Sequence, residues 1–147
     1  MFVAGDAPVP CSCGRRDCWE AHASEKALLY RYQHSNGTPP GVMSIDNLIG
    51  LAQNGEVKAT KLLKENANYL GIGISNLLIG FSPQAIVISG SITKAWDLIR
   101  DEIQAAGQRS IRQEVKMAEI IPSSLGDHPS ILGSISLVLA KKFASAN

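Results

Sequence analysis

The chain has 147 residues, with 14 Lys or Arg against 13 Asp or Glu and a formal net charge of +1. With 45% hydrophobic residues, the composition excludes a disordered chain and describes about one globular domain, and the interspersed charges offer no basic face for nucleic acid. The longest apolar stretches are broken by glycine, serine and asparagine, so no membrane span is expected; with no targeting segment visible, the expected setting is cytoplasmic, with reduced cysteines.

Pro8 and Pro10 remove amide donors and push their predecessors out of helical space, so residues 1–10 read as extended and turn-rich. All three cysteines follow within eight residues, in Cys11-Ser12-Cys13-Gly14-Arg15-Arg16-Asp17-Cys18-Trp19-Glu20. Three thiolates this close can converge on one Zn²⁺, with Gly14 supplying the tight turn. An odd count with no signal peptide in front fits a disulfide poorly. Cys11, Cys13 and Cys18 are therefore the candidate metal ligands. A tetrahedral ion needs a fourth partner. His22, about one helical turn beyond Cys18, is the local candidate, with water or an upstream residue as the alternatives; if it is not a ligand it is expected at the surface.

Glu20 to Gln33 carries Ala23, Ala27, Leu28 and Tyr30 near helical spacing, and Asn36-Gly37-Thr38-Pro39-Pro40-Gly41 breaks it. Ser44 caps a short helix through Ala52, with Leu48, Ile49 and Ala52 on one face and Asn54-Gly55 closing it. Glu56 to about Leu78 reads as a long helix, amphipathic through Val57, Leu62, Leu63, Ala67 and Leu70 and then apolar nearly all round, so its second half is expected to be buried. Gly71 and Gly73 inside it each cost about 1 kcal/mol relative to alanine, which marks a place where another backbone comes very close.

Ala85 to Ser89 reads as a buried parallel strand whose C-terminal end opens toward a ligand crevice. Ser91 or Thr93 is the expected cap of a helix reaching about Gln108 through Trp96, Ile99 and Ile103. Lys116 to Ile121 reads as a second strand, and Ser130 to Phe143 as a closing helix with Leu132, Ile135, Leu139 and Phe143 on one side. His34 and His128 sit in turn-like surroundings and read as exposed. Two strands are too few for a stable sheet, so an exposed apolar edge or face is expected, with weak solubility or self-association as its consequence.

The pattern Cys-x-Cys-Gly-x-x-x-Cys-x-Glu, followed by Ala23-Ser24 and Ala27-Leu28, resembles the signature of the ROK family (repressors, open reading frames and sugar kinases). Leu70-Gly71-Ile72-Gly73-Ile74-Ser75-Asn76-Leu77-Leu78 is similar to that family's buried glycine-bearing helix. Pro83-Gln84-Ala85-Ile86-Val87-Ile88-Ser89-Gly90-Ser91 resembles its strand and nucleotide-side turn, and Leu125-Gly126-Asp127 with Ile131-Leu132-Gly133-Ser134 its closing segment. The resemblance implies an α/β fold: a helix-rich, partial actin-like ATPase (ribonuclease H-like) lobe with a zinc knuckle. Residues 1–147 correspond to the C-terminal part of a ROK domain, with 1–23 as the zinc knuckle segment and 24–147 as the α/β lobe. The family's N-terminal lobe, with its Asp-x-Gly phosphate loop and Asn-Asp pair, has no counterpart in the sequence, so no catalytic residue is assigned and phosphate transfer by these residues alone is not expected.

The same resemblance implies that Glu20 hydrogen-bonds a sugar hydroxyl while structural zinc orients the loop that aims it. The family's fourth zinc ligand is a histidine upstream of Cys11, and no histidine precedes Cys11 here. Asp17 stands where the family usually has glycine, an uneasy fit if that position needs φ > 0. Ser89, Gly90 and Ser91 match a run of glycines whose amides approach the nucleotide phosphates in the kinases. Only the middle glycine survives, which weakens the expectation of ATP binding. That departure, together with Trp19 and Tyr30-Arg31-Tyr32, resembles the regulators. The expected function is the C-terminal sugar- or effector-binding portion of a ROK transcriptional regulator of carbohydrate metabolism. It would act as a homo-oligomer, with DNA reached through an absent N-terminal winged helix-turn-helix. The alternative is the C-terminal half of a ROK ATP-dependent sugar kinase of the glucokinase or N-acylhexosamine kinase type. A third reading is a truncated product with only a zinc-stapled structural role.

Overall fold

A computed structural model describes the chain apart from residues 2, 4, 6, 38–42, 113–114, 127–128 and 145–147. The first expected helix is divided in two. α1 (Trp19–Ala23) stops at Ser24, whose extended backbone (φ −67°, ψ 154°) and hydroxyl, accepting from the Ala27 N–H, begin α2 (Glu25–Asn36). A serine there satisfies an amide that has no helical partner, and the apolar spacing that runs through it carries no sign of the break. Gly37, at φ 65°, closes α2; residues 38–41 of the expected breaker lie outside the described residues. α3 (Ile45–Gln53) starts on Ser44 as expected, with a reciprocal capping box between Ser44 and Asn47.

α4 (Val57–Phe81) is the central element. The Glu56 carboxylate accepts from the Ala59 N–H at its start, and Ser82, at φ 45°, ends it ahead of Pro83. Leu62, Leu63, Ala67, Ile74 and Leu78 on α4 share one core with Leu28 of α2, Leu48 and Ile49 of α3, and Ile99 and Ile103 further along. The expectation that the second half of α4 is buried fails beyond Ser75: Leu78 is buried, but Leu77, Ile79 and Phe81 are exposed. An all-round apolar helix states what could be buried, not that a partner is present on every side.

β1 (Ala85–Ile88) and β2 (Glu119–Pro122) form a parallel pair, the sheet of the described residues, in the register Ala85 to Glu119 through Ile88 to Pro122. The parallel pairing agrees with the sequence, but the burial does not: Ile86 and Ile88 are half-buried against the core while Val87 points away and is 59% exposed. After β1 comes a 3₁₀ turn, Ser91–Ala95, and then α5 (Trp96–Arg109). Neither Ser91 nor Thr93 caps α5; the Thr93 hydroxyl instead donates to the Gly90 carbonyl at 2.8 Å, inside the 3₁₀ turn.

α6 (Pro129–Ala144) closes the chain with Ile131, Leu132, Ile135, Leu137, Val138, Leu139 and Phe143 all exposed. Leu77, Ile79, Phe81 and Val87 are exposed as well, in keeping with the exposed apolar edge or face that a two-stranded sheet foretells. Among the described residues no helix is long and apolar enough to cross a membrane. Asp127 and His128 lie outside the described residues.

Candidate functional site

The described part of residues 1–18 doubles back on itself. The Val3, Ala7 and Cys11 amides donate to the carbonyls of Asp17, Arg16 and Arg15 at 2.8, 3.0 and 2.8 Å, and the Gly14 amide closes the tip on the Cys11 carbonyl at 2.9 Å. Gly14 stands at φ 84°, a conformation a side chain resists. The Arg16 guanidinium ties the arm down by donating to the carbonyls of Ala7 (2.9 Å) and Pro8 (3.2 Å). Asp17 escapes the difficulty expected for it: among described residues other than glycine only Ser82 has a positive φ. Its two carboxylate oxygens instead accept from Arg15 at 3.0 and 2.8 Å, and that guanidinium holds the Asp17 carboxyl below the usual carboxylate range.

The turn brings the three sulfurs together. Cys11, Cys13 and Cys18 place their Sγ atoms within 4.8 Å of one another, and Cys13 Sγ lies 3.4 Å from Cys18 Sγ. Zn–S bonds of about 2.3 Å in a tetrahedron separate sulfurs by about 3.8 Å, so the donor set and its spacing fit one such ion. Hydrogen bonding from the Arg15 backbone, and next from Cys18, lowers the Cys13 thiol. Cys18 is pushed up to about 12, first by its bond with Cys13 and then by desolvation.

His22 does not join this cluster, nor does it lie at the surface. It is 4% exposed, its ring packs on Tyr69 with centroids 4.9 Å apart, and its Nε2 has no hydrogen-bond partner among the described residues. Arg31 packs beside it, donating from Nη1 to the His22 carbonyl at 3.0 Å with its guanidinium 5.6 Å from the Tyr69 ring centre. The division between α1 and α2 turns His22 inward. His34 is exposed as expected, stacked on Tyr30 in the last turn of α2.

Glu20 lies in the first turn of α1, exposed, with its carboxylate turned back over the cysteine loop. It accepts from the Ser12 hydroxyl at 3.3 and 3.4 Å and from the Cys11 thiol at 3.5 Å. Ser12 therefore links the loop to the carboxylate, a contact that spacing along the chain does not reveal.

Ser89, Gly90 and Ser91 lie at the end of β1, where Gly90 takes φ 96°. They line a cavity of about 220 Å³ with Ala23, Leu28, Asn66 and Leu70 among its walls, smaller than the roughly 300–1,000 Å³ of a complete small-molecule site. Asn66 is 2% exposed and donates to the Ala23 carbonyl at 3.0 Å, joining α4 to the end of α1. A larger opening of about 460 Å³ beneath the C-terminal end of α4 is lined by Leu78, Pro83 and Val115, with Lys116 as its charged group, and lacks a cluster of reactive side chains.

The model of the ROK family matches residues 2–141, and the chain belongs to that family. The xylose repressor of Bacillus spizizenii is 38% identical over 130 residues, covering 88% of this chain and 33% of the repressor. A glucokinase of Streptomyces coelicolor is 29% identical over 143 residues, covering 86% of this chain and 45% of the kinase. Among solved structures, a ROK family glucokinase from Streptomyces griseus in complex with glucose and AMPPNP matches with a TM-score of 0.75 and 28% identity, over 93% of this chain and 49% of that one. The chain thus spans about a third to a half of the length of these relatives, and its helix-rich α/β fold is that of part of a ROK sugar kinase.

Proposed function

We propose that this chain is the C-terminal sugar- or effector-binding portion of a ROK transcriptional regulator of carbohydrate metabolism. The observation that carries the reading is the convergence of Cys11, Cys13 and Cys18 in a loop that also holds Glu20 through Ser12. In this reading the three cysteines hold a structural zinc, residues 1–23 form the knuckle and 24–147 the actin-like α/β lobe, and the exposed Glu20 carboxylate accepts from a sugar hydroxyl. A carboxylate fixed by a rigid loop suits a sugar diol because its acceptors are aimed before the ligand arrives. The higher identity to a xylose repressor, 38% against 29% for a glucokinase, supports the regulator and makes xylose the first sugar to try. The serines flanking Gly90 support it too, since each Cβ restricts close approach of phosphate to the backbone. DNA would be bound by a domain outside this sequence, with the protein acting in the cytoplasm as a homo-oligomer.

The test is calorimetric titration of the full-length protein with xylose and with glucose, beside Glu20→Gln. Binding of either sugar that Glu20→Gln weakens by about tenfold or more supports the assignment; equal affinity of the two proteins removes Glu20 from the site. The second reading, the C-terminal half of an ATP-dependent sugar kinase, draws support from the likeness to the glucokinase structure. Sugar-dependent ATP turnover by the full-length protein would establish it in place of the first.

A further inference from the structure

Trp19 stands between Cys18 and Glu20, so whatever holds its ring holds both neighbours. The indole occupies a notch in α4 that exists because residue 73 is glycine. A Cβ at Gly73 would lie 2.5 Å from Trp19 Cε2, 2.6 Å from Nε1 and 2.7 Å from Cζ2, far inside van der Waals contact. The indole Nε1–H donates to the Tyr69 carbonyl at 2.6 Å. In an α-helix that carbonyl already pairs with the amide four residues on, which is that of Gly73. A carbonyl oxygen has two lone pairs, and the indole takes the second. Notch and acceptor together fix how deep the ring sits and how it is turned. α4 is itself held in the core and against α5, whereas Ser12, Cys13 and Glu20 are exposed.

We propose that Trp19 is the positioning residue of this site: docked on Gly73, it sets the metal loop and the Glu20 carboxylate in place on α4. The inference deepens the reading of Glu20 as a sugar-binding group and rests on it. The Trp19 amide also donates to the Met1 carbonyl at 3.0 Å, within the knuckle, while Asn66 holds the Ala23 carbonyl and Tyr69 packs on His22 at the far end of α1. The ring is the tie to α4 that stands directly between Cys18 and Glu20.

The test uses the full-length, metal-loaded protein, with xylose and glucose as calorimetric probes and hydrogen exchange of the backbone amides of residues 11–24 as a second measurement. In Gly73→Ala the ring is expelled, sugar affinity falls about tenfold or more, exchange over residues 11–24 quickens, and metal content is unchanged. Combining Gly73→Ala with Trp19→Leu trades ring volume for the added methyl and recovers part of the affinity. Trp19→Phe, which keeps a ring and loses the donor, shows a smaller loss in the same direction and decides the matter if Gly73→Ala does not fold. Unchanged affinity in these variants overturns the proposal whatever the exchange shows. If the wild-type protein binds neither sugar, the reading of Glu20 fails for these ligands and exchange alone judges the anchor: faster exchange in Trp19→Phe supports it, and unchanged exchange overturns it.

Discussion

Gly71 of α4 lies so close to α5 that a Cβ on it would meet the Ile103 carbonyl oxygen at 2.6 Å and the Ala106 Cβ at 2.5 Å. Two helix backbones can come this near only where one of them lacks a side chain. Gly71→Ala is therefore expected to destabilise the protein by about 1–3 kcal/mol, outweighing the ~1 kcal/mol of helix propensity that alanine brings. Gly50 in α3 has nothing within 4 Å of a Cβ, so Gly50→Ala should stabilise by about 0.5–1 kcal/mol. Thermal melts of the two variants should move in opposite directions; a shared direction would refute the close packing of α4 on α5.

The sulfur cluster predicts one zinc per chain by elemental analysis. Cys13→Ser removes one of the three thiols that lie within 4.8 Å and should lose the metal. Chelation of the wild type should lower its melting temperature and leave Cys13→Ser unmoved. At metal about 100-fold above Kd the difference amounts to about 2.7 kcal/mol. Zinc retained in Cys13→Ser would show that the ion sits elsewhere.

Tyr32 supplies a pH dependence. It is 4% exposed and donates to Glu56 Oε2 at 3.2 Å; burial, and then the Glu56 carboxylate, raises its phenol above its ordinary value. A raised folded-state pKa contributes stability that is present below the unfolded value of about 10 and is lost as pH rises through the folded value. Wild-type stability should thus fall more steeply above about pH 10 than that of Tyr32→Phe, which has no proton to lose. Parallel curves from denaturant melts between neutral and alkaline pH would count against it.

The apolar surface of α6, Leu77, Ile79, Phe81 and Val87 predicts concentration-dependent association of the 147-residue chain. Phe81 is 79% exposed and Ile79 60%, so Ile79→Ser with Phe81→Ser should shift sedimentation toward monomer with little change in stability, as expected for exposed positions. Loss of folding in that pair would show these residues to be part of the core.

Local chemistry made much of this molecule readable from the chain. Ser44 announced α3 because a helix start needs an acceptor for its free amides, and the spacing of the three cysteines announced a cluster of sulfurs because Gly14 allows the turn that gathers them. The α4 glycines announced a close approach, and for Gly71 the neighbour is a backbone, as expected. At Gly73 it is the Trp19 ring, and only the tertiary structure could say so, since 54 positions of the chain separate the notch from its occupant.

Whatever depended on which surfaces meet was decided by the tertiary structure. Amphipathic spacing ran unbroken through Ser24, yet the chain turns there and carries His22 inward onto Tyr69, away from the sulfurs. The apolar half of α4, β1 and α6 have sequences fit for burial, but exposure depends on a partner surface, and that information is not local to the segment it would cover. Ser12 meets Glu20 for the same reason: side chains eight positions apart touch only once the cysteine loop has folded back on the first turn of α1. Residue types determined the chemistry available to this chain; the docking of the loop on α4 determined where that chemistry points.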